Sequence, residues 1–280
     1  MIPGDFDYTA PDSLDGVLAA LKDGGEDAKL LAGGHSLLPL MKLRLAFPTL
    51  LVDLGHVPGL RGVQRENGTV RIGPMTRHAD LQAQPELGLL ATAASNIADQ
   101  QVRNRGTIGG SLAHGDSASD LPGVLLAYEG TITAQGGDGT REIVAADLFR
   151  DYLTTSLRPD EVITEVRLPA QDDWGHGFEK FTRRAEDWAM VGVSALVKRA
   201  SDGSCEDVRI ALTNMGATPL RASAAEDALR GGPLDVDAIA KAAEQAAEGT
   251  EPRGDLNASP DYKRHLARVL TRRALEQAAG

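Results

Sequence analysis

A single cysteine, Cys205, in 280 residues excludes a disulfide framework. Cys205 reads more readily as a buried or surface thiol than as a ligand, because iron–sulfur clusters and structural zinc sites take several cysteine or histidine ligands. Basic excess is missing as well: 29 Lys and Arg against 40 Asp and Glu leave a net charge of -11, which argues against a nucleic-acid partner, because phosphate binding wants a basic face. No apolar run reaches membrane-spanning length, and residues 1–6 lack the basic and apolar regions of a signal peptide. A cytoplasmic protein without a transmembrane segment is expected. The chain contains neither GxGxxG nor GxxxxGK[ST], so neither the Rossmann nor the P-loop solution to phosphate binding is available. No acid–base pair or nucleophilic triad stands out. Asp172-Asp173 and Glu186-Asp187 read as solvated loop residues.

Glycine, by contrast, is abundant, with 31 residues. Most pairs are turn punctuation: Gly24-Gly25 and Gly231-Gly232 end helices, and the 136–139 stretch makes a hairpin tip. Two segments have a fuller context. Ala32-Gly33-Gly34-His35-Ser36-Leu37-Leu38-Pro39 follows a short apolar strand at 29–31 and precedes Leu37, Leu40 and Met41 at helical spacing. Thr107-Ile108-Gly109-Gly110-Ser111 follows Arg103-Asn104-Arg105-Gly106. A Gly-Gly pair permits positive φ and close approach of a ligand, so successive N–H groups can line one anion-binding concavity. Ser36 occupies the expected N-cap of the following helix, whose first turn adds partial positive charge. Two such turns, of different design, could embrace both phosphates of one dinucleotide. Arg103 and Arg105 either position that diphosphate or cap carbonyls and pair with carboxylates.

The remaining pattern predicts a helix at 14–24 opened by Asp12-Ser13, an extended segment at 49–54 and a hairpin turning at Asn67-Gly68. Thr76 is placed as the cap of a helix containing Ala79 and Leu81. Further expectations are a helix at 87–97, a hairpin at 131–144 and a strand at 162–168. Residues 169–177 are rich in breakers and form the candidate domain boundary. Strands at 178–182, 190–198 and 208–213 and helices near 222–229, 236–247 and 262–278 follow, an α+β arrangement.

The octapeptide 32–39, the segment 43–54, and the run from Val102 through Gly109-Gly110 to Asp120-Leu121-Pro122 resemble the FAD-binding medium subunit of molybdenum hydroxylases. So do Glu165-Val166-Arg167-Leu168-Pro169, Phe178-Glu179-Lys180-Phe181-Thr182-Arg183-Arg184 and the helix at Tyr262-Lys263-Arg264. The resemblance covers nearly the whole chain. It implies an α+β fold with a two-part FAD-binding domain of the vanillyl-alcohol oxidase type at residues 1–170, with parts at about 1–55 and 56–170. A smaller C-terminal domain with an antiparallel sheet and helices is implied at 178–280.

By the same resemblance, FAD contacts fall on Lys29, Leu31, Ala32, Gly33, Gly34, His35, Ser36 and Leu37, and on Thr107, Gly109, Gly110 and Ser111. Asp120 is placed at the adenosine part, and Ile163 and Lys180 at the isoalloxazine. Ile163 reads equally well as a core strand residue. Trp188 is either a flavin-stacking aromatic or, more commonly for such a residue, a buried core one. The family has His or Gln at position 35, so FAD is expected to be non-covalent, with His35 in a hydrogen-bonding role. A proline usual in the family is replaced by Ser117, which predicts a looser loop.

The resemblance implies an oxidoreductase subunit that passes electrons from iron–sulfur clusters of a partner to an external acceptor. Its implied partners are a large molybdopterin-binding subunit and a small iron–sulfur subunit, assembled as a dimer of heterotrimers. A self-contained FAD oxidase or reductase of the same fold, and a non-redox scaffold, are the competing readings.

Overall fold

The computed structural model describes residues 2–280, so Met1 of the opening segment lies outside the described residues. The first layer is a small three-stranded parallel sheet. Leu50–Asp53 runs at its centre, between Asp7–Thr9 and Ala28–Leu31. The helix Leu14–Gly24 covers it because Val17 and Leu21, one turn apart, are buried together, and its start is set by the Ser13 hydroxyl accepting from Gly16 N–H.

The second sheet is antiparallel, in the order Val63–Glu66, Thr69–Ile72, Val162–Pro169, Thr131–Gly136, Gly139–Val144. Its first hairpin turns where expected, with Asn67 and Gly68 both at positive φ. In the strand Val162–Pro169 the register against Thr131–Gly136 shifts between Ile163 and Glu165. The extra residue of this bulge is Thr164, directly after Ile163.

The third sheet, Trp174–Phe181, Val191–Arg199, Cys205–Thr213 and Leu220–Arg221, is antiparallel throughout. The helix Pro260–Ala279 lies across it. Leu266, Leu270, Ala274 and Ala278 repeat every four residues on its buried face. A Cβ at Gly175 or Gly177 would collide with the carbonyl oxygens of Ala278 and Ala274, so those glycines permit the helix to lie directly on the strand. The expected boundary at 169–177 is therefore narrower: strand continues to Pro169 and resumes at Trp174.

Between the second and third sheets runs the helix Asp120–Ala127, every residue of which is buried. A Cβ on Gly123 would lie 2.8 Å from Thr213 Oγ1, which marks how closely this helix approaches the C-terminal sheet. Three apolar cores result, one under each sheet, and Leu196 and Ala211 of the third sheet belong to the core of the second.

Candidate functional site

A cleft of about 600 Å³ opens where these layers meet, within the range of about 300–1,000 Å³ common for cofactor sites. It is lined by Lys29, Ala32, Gly33, Gly34, His35, Ser36 and Leu37 from the first glycine segment, and by Thr107, Gly109, Gly110 and Ser111 from the second. Asp120, Ile163 and Lys180 line it too. Leu31 does not; its Cδ1 packs beneath Gly34.

The two segments are built differently. In the first, the chain leaves the strand Ala28–Leu31 and enters the helix Leu37–Lys42 with Gly34 at φ +78°. Among the described residues, no N–H of residues 33–37 has an acceptor. Five successive backbone donors therefore stand unpaired along one wall of the cleft. Such a set costs free energy unless water or an anion satisfies it. Ser36 occupies the N-cap position, but its hydroxyl makes no capping bond, a correction that leaves one more donor on this wall. Gly33 is required by contact: a Cβ there would lie 2.3 Å from the Arg105 carbonyl oxygen, so the first segment seats on the approach to the second.

The second segment is not a turn but the start of the helix Ile108–His114. The backbone donors of residues 108–111 are all used. Ile108 N–H donates to Thr76 O, Gly109 N–H to Pro74 O, Gly110 N–H to Thr107 Oγ1 and Ser111 N–H to Thr107 O. Gly109 and Gly110 have no positive φ; a Cβ on Gly109 would meet Pro74 Cβ at 2.4 Å. The expectation of two glycine turns is thereby corrected: the first segment offers unpaired backbone donors, and the second is a helix start packed behind it. Thr76 is no helix cap either. Its hydroxyl is hydrogen-bonded to both N–H and O of Gly62, while Asp80 caps the next helix through Arg77 N–H.

Arg103 and Arg105 do not line the cleft. Arg103 caps the carbonyls of Ile97 and Ala98 at 2.7 and 2.9 Å. Beneath the second segment sits His78, 5% exposed, with Nδ1 lacking a partner. Burial, then the nearby His35 and Arg103, push its pKa down to about 4, so it is neutral at pH 7. His35 itself is exposed, and its pKa is lowered too, by partial burial and by the nearby Arg105.

Lys180 Nζ lies 2.8 Å from Asp120 Oδ2 and 3.0 Å from Asn96 O, with both ionic side chains buried. Burial raises the Asp120 pKa while Lys180 opposes that shift. Asp120, expected at the adenosine part, and Lys180, expected at the isoalloxazine, are in direct contact with each other in this structure. Asp120 Oδ1 remains buried without a hydrogen bond. Ile163 is 5% exposed and both packs in the core and lines the cleft.

Trp188 is 55% exposed, not buried, and with Glu186 and Asp187 it lines the cleft from the loop between the strands Trp174–Phe181 and Val191–Arg199. His78, Ser119, Arg158 and Glu161 also line it. Of these, the Glu161 carboxylate is held below its ordinary pKa, chiefly by the Arg141 guanidinium at 2.7 and 2.8 Å. Ser117 does not loosen its loop: Ser117 O accepts from Asn214 N–H at 2.8 Å and Ala118 N–H donates to Asp116 Oδ1 at 2.9 Å. Among the described residues, no helix is long and apolar enough to cross a membrane.

Residues 4–171 match the FAD binding domain in molybdopterin dehydrogenase, and residues 176–278 match the CO dehydrogenase flavoprotein C-terminal domain. The carbon monoxide dehydrogenase medium chain of Hydrogenophaga pseudoflava is 44% identical, over 99% of this chain and 98% of its own length. The 6-hydroxypseudooxynicotine dehydrogenase complex subunit alpha of Paenarthrobacter nicotinovorans is 40% identical, over 99% and 96%. A solved carbon monoxide dehydrogenase from Hydrogenophaga pseudoflava, lacking the Mo-pyranopterin moiety of its molybdenum cofactor, superposes with a TM-score of 0.96 at 46% identity, over 99% of this chain and 98% of that one. The chain belongs to the FAD-binding medium subunits of molybdenum hydroxylases, and is thus an oxidoreductase subunit of a multi-subunit complex.

Proposed function

We propose that this chain binds FAD without a covalent bond and carries electrons from iron–sulfur clusters of a small partner subunit to an external acceptor. The organic substrate is then oxidised at a molybdopterin centre in a large subunit, in a cytoplasmic dimer of heterotrimers. The observation that carries the FAD reading is the row of unpaired N–H groups on residues 33–37 along a cleft of about 600 Å³. A diphosphate satisfies such donors without any side-chain charge. Bound FAD supplies one- and two-electron chemistry.

The residues of the chain position that group. In this reading the 33–37 backbone holds the phosphates, with the helix Ile108–His114 fixing the wall behind it. Lys180 and Asp120, as one pair, hold the flavin end. The pair leaves less free positive charge for an anionic reduced flavin than an isolated ammonium would. Leu37, Leu40, Met75, Ile97 and Ile163 exclude water between the two ends. The same reading divides the chain into domains at residues 1–170 and 178–280, which the two family matches support.

The test is reduction of the flavin. In the assembled complex the organic substrate should reduce it; with the isolated FAD-loaded chain the same substrate should not, as followed at the flavin absorbance band. Reduction of the isolated chain at the rate of the complex would replace the subunit reading with a self-contained enzyme. Flavin that stays with the pellet on acid precipitation would contradict non-covalent binding.

A further inference from the structure

We propose that Asn214 is a positioning residue for the cofactor cleft, a latch that ties the loop before Asp120 to the base of the loop carrying Trp188. Asn214 directly follows the strand Cys205–Thr213 and has φ +62°. Asn tolerates this left-handed region better than most residues, yet it still adopts it at a cost unless local bonds hold it. Those bonds are present, and they run in two directions. The backbone N–H donates to Ser117 O at 2.8 Å, while side-chain Nδ2 donates to Ala189 O at 2.8 Å and Met190 O at 3.2 Å.

The two anchored segments both lead into residues that line the cleft. Ser117 is 3% exposed and precedes Ser119 and Asp120, both lining residues. Ser119 Oγ is in turn 2.8 Å from Ser111 Oγ. Ala189 and Met190 end the loop that places Glu186, Asp187 and Trp188 on the cleft. That loop has its own bonds, Asp187 N–H to Arg184 O, Met190 N–H to Phe181 O and the Arg183–Asp187 pair. All of them stay within the hairpin. Among the described residues, the two bonds from Asn214 Nδ2 are the only hydrogen bonds that fasten residues 182–190 to anything outside it. Asn214 does not line the cleft, so its effect on a ligand runs through the loops it holds.

The consequence for FAD rests on the cofactor reading above, but the latch itself does not. Asn214→Gly keeps the left-handed backbone and the bond to Ser117 while deleting both side-chain donors. Asn214→Asp keeps the shape and faces the two carbonyls with acceptors only. In the full chain without FAD, trypsin should nick after the exposed Arg183 or Arg184 about tenfold faster in either variant than in the wild type, with the thermal midpoint little changed. FAD affinity should fall about tenfold, the equivalent of one or two ordinary hydrogen bonds, and the visible circular dichroism of the bound flavin should change.

Should Asn214→Gly fail to fold, Asn214→Asp decides the matter by the same readouts. Unchanged nicking overturns the latch. Faster nicking with unchanged FAD affinity and flavin dichroism overturns its role in positioning the cleft. A wild-type chain that takes up no FAD sinks the cofactor reading alone, and nicking of the apo chain still supports or overturns the latch.

Discussion

Two segments of nearly the same composition, Gly33-Gly34 with a hydroxyl beside it and Gly109-Gly110 with a hydroxyl beside it, do different physical work. The first ends a strand, takes positive φ at Gly34 and leaves the N–H groups of residues 33–37 without acceptors. The second opens a helix, and its N–H groups are consumed by Pro74, Thr76 and Thr107. Glycine there makes room for Pro74, 2.4 Å from where a Cβ would stand. What separates a binding turn from a packing helix is therefore where the backbone donors go, which composition does not disclose.

If this contrast is right, changes around the second segment and its supports should register first in stability, and changes in the first should register in ligand binding. The largest effect is expected at Lys180→Met, which leaves Asp120 buried and unpaired and should cost about 3–5 kcal/mol at neutral pH. Burial already raises the Asp120 pKa. In the variant the folded state would hold a proton that the unfolded chain releases, so stability should recover as pH falls, and Asp120→Asn added to Lys180→Met should restore most of the loss. Denaturant unfolding at two pH values tests this, and an equally stable single variant would contradict it.

Next in size is a pH effect. His78 has a folded pKa of about 4 against an ordinary 6.5, a lowered value, so the unfolded chain binds the proton first. Stability should fall as pH drops from the ordinary value toward 4, by roughly 3 kcal/mol in all, and His78→Phe should flatten that part of the profile. Gly109→Ala should then cost about 1–3 kcal/mol by overpacking against Pro74, while the folded fraction keeps its FAD affinity. Gly34→Ala should lose about 1–2 kcal/mol through the left-handed backbone, but here FAD affinity should fall by more than the stability does. The smallest change is expected at Thr107→Ala, about 1 kcal/mol for a lost cap, with Thr107→Ser close to wild type. A loss of FAD affinity at Thr107→Ala larger than its loss of stability would make that hydroxyl a ligand contact and weaken the contrast.

Much of this was legible in the sequence. Ser13 opening the helix Leu14–Gly24, Asn67-Gly68 in its hairpin and the four-residue repeat of the C-terminal helix each carry a local signal that the fold obeys. The helix Asp120–Ala127 carried none, because burial on all sides erases the amphipathic period and Pro122 and Gly123 read as breakers. Gly109-Gly110 hid the helix Ile108–His114 for the same reason. Within the site, the first glycine segment announced itself through its context. The Asp120–Lys180 pair spans 60 positions and no local pattern joins such residues. Trp188 misled because residue type predicts burial only on average, and here the aromatic stands half exposed on a loop.

The central claim is that the backbone of residues 33–37, and not that of the second segment, receives the diphosphate. Backbone amide resonances recorded during titration of the full chain with FAD test it most directly. The account predicts large shifts and slowed hydrogen exchange at Gly33, Gly34, His35, Ser36 and Leu37, with Gly109, Gly110 and Ser111 already protected before FAD is added and little changed after. Slowed exchange at Gly109, Gly110 and Ser111 on binding, with residues 33–37 unaltered, would contradict it.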